Sequence, residues 1–199
     1  MEAYLDNSAT TRVDAQVQEL MKKLMDVDFG NPSSRHQKGV VAEGYIKEAR
    51  QKTLKVDPKE LIITSGGTES NNMALIGTAL AAKRKGNHII TTAVEHPSVK
   101  ATASFLEEQG FRITFLSVDS RGQISLEELK EALTPDTILV SIMYVNNEIG
   151  TIQPVEEAAK LVHATVPGAV FHVDAIQAYG KVMIRPKQQG IDPLSVSSH

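Results

Sequence analysis

No cysteine occurs among the 199 residues, so no disulfide, thiolate metal site or cysteine nucleophile can come from them. That fits a cytoplasmic protein. Lys and Arg form no dense block: 24 acidic residues face 21 basic ones, for a net charge of -3, which argues against nucleic acid or an anionic membrane as the partner. No apolar run is long enough to cross a bilayer. The start, Met1-Glu2-Ala3-Tyr4-Leu5-Asp6, lacks the basic and apolar regions of a signal peptide. No internal repeat or low-complexity linker interrupts the chain, and no metal site is expected. What remains is a globular chain, 41% apolar, able to bury a real core and expected to bind a small solute.

Apolar spacing predicts alternating helices and strands. Helices are expected over 13–27, 39–54, 69–83, 99–108, 126–133 and 155–166, and strands over 60–64, 88–92, 111–118, 137–145 and 169–174. Such alternation predicts a three-layer α/β/α fold with a mostly parallel sheet, whose ligands sit at the carboxyl ends of the strands. Residues 1–12 read as an N-terminal segment before one large domain, 13–199.

Asp174 closes the apolar run Ala169-Val170-Phe171-His172-Val173, which places a carboxylate at the end of a buried strand. A buried carboxylate needs a cation or several donors. Its nearest cations in sequence are Lys160 and Lys181, so a distant residue closes the pair or the cation belongs to a ligand. Loop amides satisfying a purely structural Asp are the other reading.

Three more segments stand at expected strand ends. Ser65-Gly66-Gly67-Thr68-Glu69-Ser70-Asn71-Asn72 opens a helix. Its glycines admit close backbone approach, its helix-start amides are free and Thr68 adds a hydroxyl, all suited to a phosphate; a plain turn with Thr68 as N-cap is the alternative. The segment is neither a Walker A loop nor GxGxxG, so no nucleotide is indicated. Val145-Asn146-Asn147-Glu148-Ile149-Gly150 offers amides that could orient a polar ligand or simply make a turn. His96 precedes a Pro-started helix; it could cap that helix, stack on a flat ring or move a proton. Together these read as a site for a phosphorylated aromatic cofactor with a cationic ring nitrogen.

At these motifs the chain resembles the NifS/IscS-like cysteine desulfurases, class V aminotransferase-type enzymes with the fold type I architecture of pyridoxal phosphate enzymes. The resemblance runs from Tyr4 to Thr11 through Gly30-Asn31-Pro32-Ser33-Ser34-Arg35-His36, Thr64 to Asn72, Glu95-His96, Val145 to Gly150 and His172 to Gln177, to Ser197-Ser198-His199. It implies pyridoxal 5'-phosphate as cofactor. Gly67, Thr68, Ser197 and His199 resemble the phosphate shell, and His96 the imidazole stacked on the pyridine ring, with a possible part in proton transfer. Asn147 and Gln177 resemble the groups on the phenolic side, Asp174 the partner of the pyridinium nitrogen, and Asn31 and His36 residues near the substrate.

The resemblance further implies conversion of L-cysteine to L-alanine, with sulfur passed on as a persulfide for iron-sulfur cluster or thio-cofactor assembly. It implies a homodimer and a sulfur-acceptor or scaffold protein as partner. The Schiff-base lysine would follow His199 directly, and the sulfur-accepting cysteine, a carboxylate-binding arginine and a small C-terminal domain would lie further on, leaving the large domain incomplete here. Alternatives are another class V activity, selenocysteine lyase or aminotransferase, or a non-catalytic cofactor-binding fragment.

Overall fold

The apolar runs of the second half of the chain pair with one another in parallel. The computed structural model describes residues 3–52 and 56–197, with the backbone alone at 51 and 52, and divides into two units, Met1–Ile63 and Thr64–His199.

In the first unit, α1 (Ala15–Asp26) starts at Asp14, whose carboxylate accepts from the backbone N–H of Gln16 at 2.8 Å, satisfying one of the amides that a helix start leaves free. α2 (Gln37–Lys52) is tied to the end of α1 through Tyr45. Its hydroxyl donates to Asp28 at 2.7 Å and accepts from Lys23 at 2.8 Å, while Lys23 and Asp28 stand 3.2 Å apart. Gly30, between the helices, and Gly39, in the first turn of α2, sit where a Cβ would strike the backbone oxygens of Lys38 and Ser34 at 2.2 and 2.1 Å, so the Gly30 to Ser34 turn closes tightly on the head of α2.

The strand expected over 60–64 does not form. Residues 61–64 take no regular secondary structure, among the described residues no strand pairs with them, and Ile62 and Ile63 are 67% and 64% exposed. A short apolar run satisfies the pattern of a buried strand without supplying the neighbour that a ladder requires. Residues 53 and 54 of the helix expected over 39–54 lie outside the described residues.

The second unit alternates as expected: α3 (Gly67–Ala82), β1 (His88–Thr92), α4 (Pro97–Glu108), β2 (Arg112–Leu116), α5 (Leu126–Ala132), β3 (Thr137–Met143), α6 (Val155–Thr165) and β4 (Val170–Asp174). The short α7 (Pro186–Gln189) and β5 (Leu194–Ser195) were not expected. The sheet order is β2-β1-β3-β4-β5, and every pairing is parallel. β1, β3 and nearly all of β4 are buried, as strands covered on both faces must be. On one face Leu75, Ala79, Val99 and Leu106 of α3 and α4 pack over Ile89 and Leu139. On the other, Leu129, Ala158, Ala159 and Val162 of α5 and α6 pack over Ile90, Val140, Ile142, Phe171 and Val173. These are the three layers of the expected fold, and all strand carboxyl ends meet at one edge.

Phe171 is fully buried in the middle of β4. Phe171→Ala is expected to lower the unfolding free energy by about 3–5 kcal/mol, read from denaturant midpoints of the full-length protein; a loss below about 1 kcal/mol would show that β4 is not a core strand.

Candidate functional site

Asp174 ends β4 at that edge, 4% exposed. Both its oxygens meet N–H donors: Oδ2 accepts from Asn71 Nδ2 at 2.8 Å and Oδ1 from the backbone N–H of Ile176 at 3.1 Å. Asn71 is fully buried on α3, in the turn after Gly67 and Thr68. The helix whose start suits a phosphate is therefore hydrogen-bonded, one turn in, to the carboxylate that suits a ring nitrogen.

α3 is capped by Gly66, which has no side chain to accept from the first amides, so among the described residues no side-chain cap competes there with an anion. Thr68 is not the N-cap: it lies within the first turn and is exposed. A Cβ on Gly67 would come within 2.2 Å of Cδ1 of Ile176; the helix start and the turn after Asp174 thus approach as closely as glycine permits.

His96 caps α4, half-buried, with Nδ1 accepting from the backbone N–H of Ser98 at 3.1 Å and 2.9 Å from the Ser98 hydroxyl. Asn71 Nδ2 also donates to Ser98 Oγ at 3.0 Å, so His96, Ser98, Asn71 and Asp174 form one continuous chain. After β3, Asn146 rather than Asn147 is the structural amide: Oδ1 accepts from the N–H groups of Glu148 and Ile149 at 2.9 and 3.0 Å, and Nδ2 donates to the Val94 carbonyl at 2.9 Å. This leaves half-buried Asn147 on the loop so shaped, its amide donating to Glu148 at 2.8 Å. Gln177 is buried in the turn after Asp174 and accepts from Lys181 at 3.3 Å. Ser197 follows β5, half-buried; His199 lies outside the described residues.

Asn31 and His36 belong to the first unit, where both are exposed. Asn31 Oδ1 accepts from Ser33 N–H at 2.9 Å, and His36 Nδ1 from Gly39 N–H at 3.3 Å.

Glu95, which the sequence offers only as part of the Glu95-His96 motif, is the acid whose environment departs most from solvent. It is 3% exposed; Oε1 accepts from Thr92 Oγ1 at 2.7 Å and from Met143 N–H at 2.9 Å, while Oε2 meets no partner among the described residues. Burial pushes its carboxyl up to about 8, with nearby Asp174 adding to the shift. His172, one pleat before Asp174, is buried with Nδ1 2.9 Å from Ser141 Oγ and Nε2 3.0 Å from Ser195 Oγ, and burial lowers it to about 3. The sequence signal for His172 was its i,i+2 spacing from Asp174, which puts both on one face of β4. Among the described residues no group of His, Asp and Glu could hold a metal, and no helix is long and apolar enough to cross a membrane.

These features describe an α/β domain whose α3 start has no side-chain cap and whose buried carboxylate ends a strand at the same edge. The class-V aminotransferase family model matches residues 3–199, and the chain belongs to that family. It is similar to cysteine desulfurase IscS of Dictyoglomus turgidum, 48% identical over 201 residues, and to that of Methanosarcina thermophila, 48% identical over 199. These alignments take in 100% and 98% of this chain but 50% and 49% of those proteins, so the chain spans about half the length of the curated relatives it matches. Among solved structures, a NifS-like protein superposes with a TM-score of 0.96 at 42% identity, covering all of this chain and 55% of that one. SspA in complex with cysteine superposes at 0.92 and 39% identity, covering 98% of this chain and 57% of that one.

The raised Glu95 carboxyl has a consequence for stability. Folding takes up a proton there between the ordinary value of 4.5 and about 8, so this contribution is fully present below pH 4.5 and is lost as the pH rises towards 8. Glu95→Gln, which keeps the acceptor for Thr92 and Met143, is expected to remove a pH-dependent loss of a few kcal/mol from denaturation curves between pH 5 and 8. Parallel curves for the two proteins would show that Glu95 is ionised throughout.

Proposed function

We propose that the full-length protein is a pyridoxal phosphate-dependent cysteine desulfurase, converting L-cysteine to L-alanine and passing the sulfur on as a persulfide. The observation that carries this reading is the Asn71–Asp174 hydrogen bond, which links a buried carboxylate to the helix that begins at Gly67 and Thr68. A phosphate on the free amides and a cationic nitrogen at Asp174 would be held by adjoining parts of one framework. The bare Gly66 cap, the close Gly67–Ile176 approach and a carboxylate presented among N–H donors all fit that cofactor. The similarity to proteins named cysteine desulfurase supports the substrate.

In this reading Gly67, Thr68, Ser197 and His199 hold the phosphate, and His96 lies against the pyridine ring within reach of a transferring proton. Asn147 and Gln177 address the phenolic oxygen, and Asp174 keeps the ring nitrogen protonated. Asn31 and His36 are assigned to the substrate on the resemblance alone. Residues 13–199 form the large domain after an N-terminal segment, 1–12. The bound cofactor supplies an electron sink for charge developing at the substrate α-carbon, and Asp174 sets the strength of that sink. The thiolate that takes the sulfur must come from outside these 199 residues, which contain no cysteine. A cytoplasmic homodimer, with an iron-sulfur scaffold or other acceptor as partner, completes the proposal.

Incubation of the full-length protein with pyridoxal phosphate, L-cysteine and a thiol reductant should release alanine and sulfide in equal amounts. Amino transfer to a keto acid without sulfide, or turnover of selenocysteine alone, would replace this reading with another class V activity. Asp174→Asn, close in shape but unable to hold a cation, is expected to lower kcat by about a hundredfold to a thousandfold and to weaken cofactor retention on gel filtration. Wild-type turnover in that variant would remove Asp174 from the chemistry.

A further inference from the structure

The directions of the hydrogen bonds between Asp174 and His96 can be worked out one after another. The Asp174 carboxylate faces N–H donors at both oxygens, so the Asn71 side chain must present Nδ2, not Oδ1, towards it. The opposite orientation would set two acceptors face to face. Asn71 Oδ1 is buried without a partner among the described residues, a cost of about 1–3 kcal/mol that a flip would not relieve, because it would exchange an idle oxygen for a repelled one. The second hydrogen on Asn71 Nδ2 goes to Ser98 Oγ at 3.0 Å. That oxygen, already accepting, has its own hydrogen to give, and His96 Nδ1 stands 2.9 Å away. Nδ1 receives the Ser98 backbone N–H as well, at 3.1 Å. A ring nitrogen facing two donors carries no proton; the proton is then on Nε2.

We infer that Ser98 and Asn71 are positioning residues that transmit the fixed polarity of the Asp174 carboxylate to His96, holding its imidazole as the Nε2–H tautomer. The inference rests on the proposed desulfurase reading for its functional meaning and deepens the part of His96 in it. Nδ1 is withdrawn from the site, since protonating it would break the cap of α4 and reverse the Ser98 hydroxyl. His96 therefore meets a bound cofactor and substrate with its ring face and with a donor at Nε2, and it does not act as the base at Nδ1. The same chain joins the carboxylate to the imidazole, because Asn71 gives one hydrogen to Asp174 and the other to the Ser98 hydroxyl that meets His96. Neither Ser98 nor Asn71 has a direct place at the ligand, and removing the Ser98 hydroxyl leaves the Asn71–Asp174 bond in place, so it tests the coupling.

The test is 15N NMR of the full-length protein, loaded with pyridoxal phosphate and labelled in its histidine rings, with His96→Gln used to assign the resonances. The wild type is expected to carry its proton on Nε2, with a pyridine-type Nδ1 signal displaced upfield by the bonds it accepts. Ser98→Ala should move the Nδ1 signal downfield and lower kcat about tenfold with KM little changed, whereas Ser98→Thr, which keeps the hydroxyl, should retain the wild-type signal. A proton on Nδ1 in the wild type, an unmoved Nδ1 signal in Ser98→Ala, or wild-type kcat in that variant would overturn the inference. Failure to release alanine from cysteine would instead refute the proposed activity. The nitrogen signals would still decide the tautomer, so the two failures are distinguishable.

Discussion

A carboxylate at the end of a buried strand must be surrounded by donors, and much of the second unit's polar interior is arranged to provide them around Asp174. β4 sits between β3 and β5, paired through Met143↔Asp174 on one side and Asp174↔Ser195 on the other. The backbone of Asp174 is thus engaged in the sheet: its carbonyl accepts from Tyr144 N–H at 2.8 Å, and the next residue's N–H reaches Ser195 O at 2.8 Å. The side chain is served from α3 and from the turn that follows, where Asn71 and the amide of Ile176 donate to it. An unserved carboxylate here would cost several kcal/mol, which makes the placement of α3 a condition of the fold as much as of the site.

Two polar chains fasten the start of α3. Asn71 reaches Asp174 and Ser98, while its neighbour Ser70 donates to Ser195 Oγ at 2.9 Å, which in turn lies 3.0 Å from His172 Nε2, with Ser141 at the other ring nitrogen. Helix starts fray when their amides lack partners, and Gly66 offers no side-chain cap. The side chains one turn in supply the rigidity that the cap does not, so the amides ahead of them can stay open to a ligand. His172 suits this use: burial keeps it neutral down to about pH 3, so its bonds to two serines survive any ordinary change of pH.

The strands with long apolar runs were legible because burial on both faces demands such runs; β1 has the bounds expected for it, and β3 and β4 differ at their ends. Asp174 was legible for the same reason, as a charge where the run stops. The Ile62-Ile63 segment misled because apolar character is local and pairing is not, and β5, two residues long, is too short to carry a period. Asn71 and Ser98 could not be read as partners: they are 27 residues apart, and Asn71 is 103 from Asp174, distances only the tertiary fold closes. Glu95 stands in the sequence beside a histidine before a Pro-started helix, with no apolar run around it to signal burial. It is buried because the end of β3 passes over it and gives it the N–H of Met143.

Glu95 and Asp174 together define the charge of the strand edge. Met143 connects them, pairing with Asp174 in the sheet while donating its N–H to Glu95. Two ionised carboxylates so placed would repel through a poorly screening interior. The donors are divided unequally. Asp174 receives an N–H at each oxygen, whereas both donors to Glu95 converge on Oε1 and leave Oε2 without one among the described residues. The carboxyl with the poorer donor set is the one whose burial keeps it protonated at neutral pH. Of these two buried carboxyls the better-served one ends β4, so in the proposed reading a cationic ring nitrogen would meet the carboxylate that the fold already surrounds with donors.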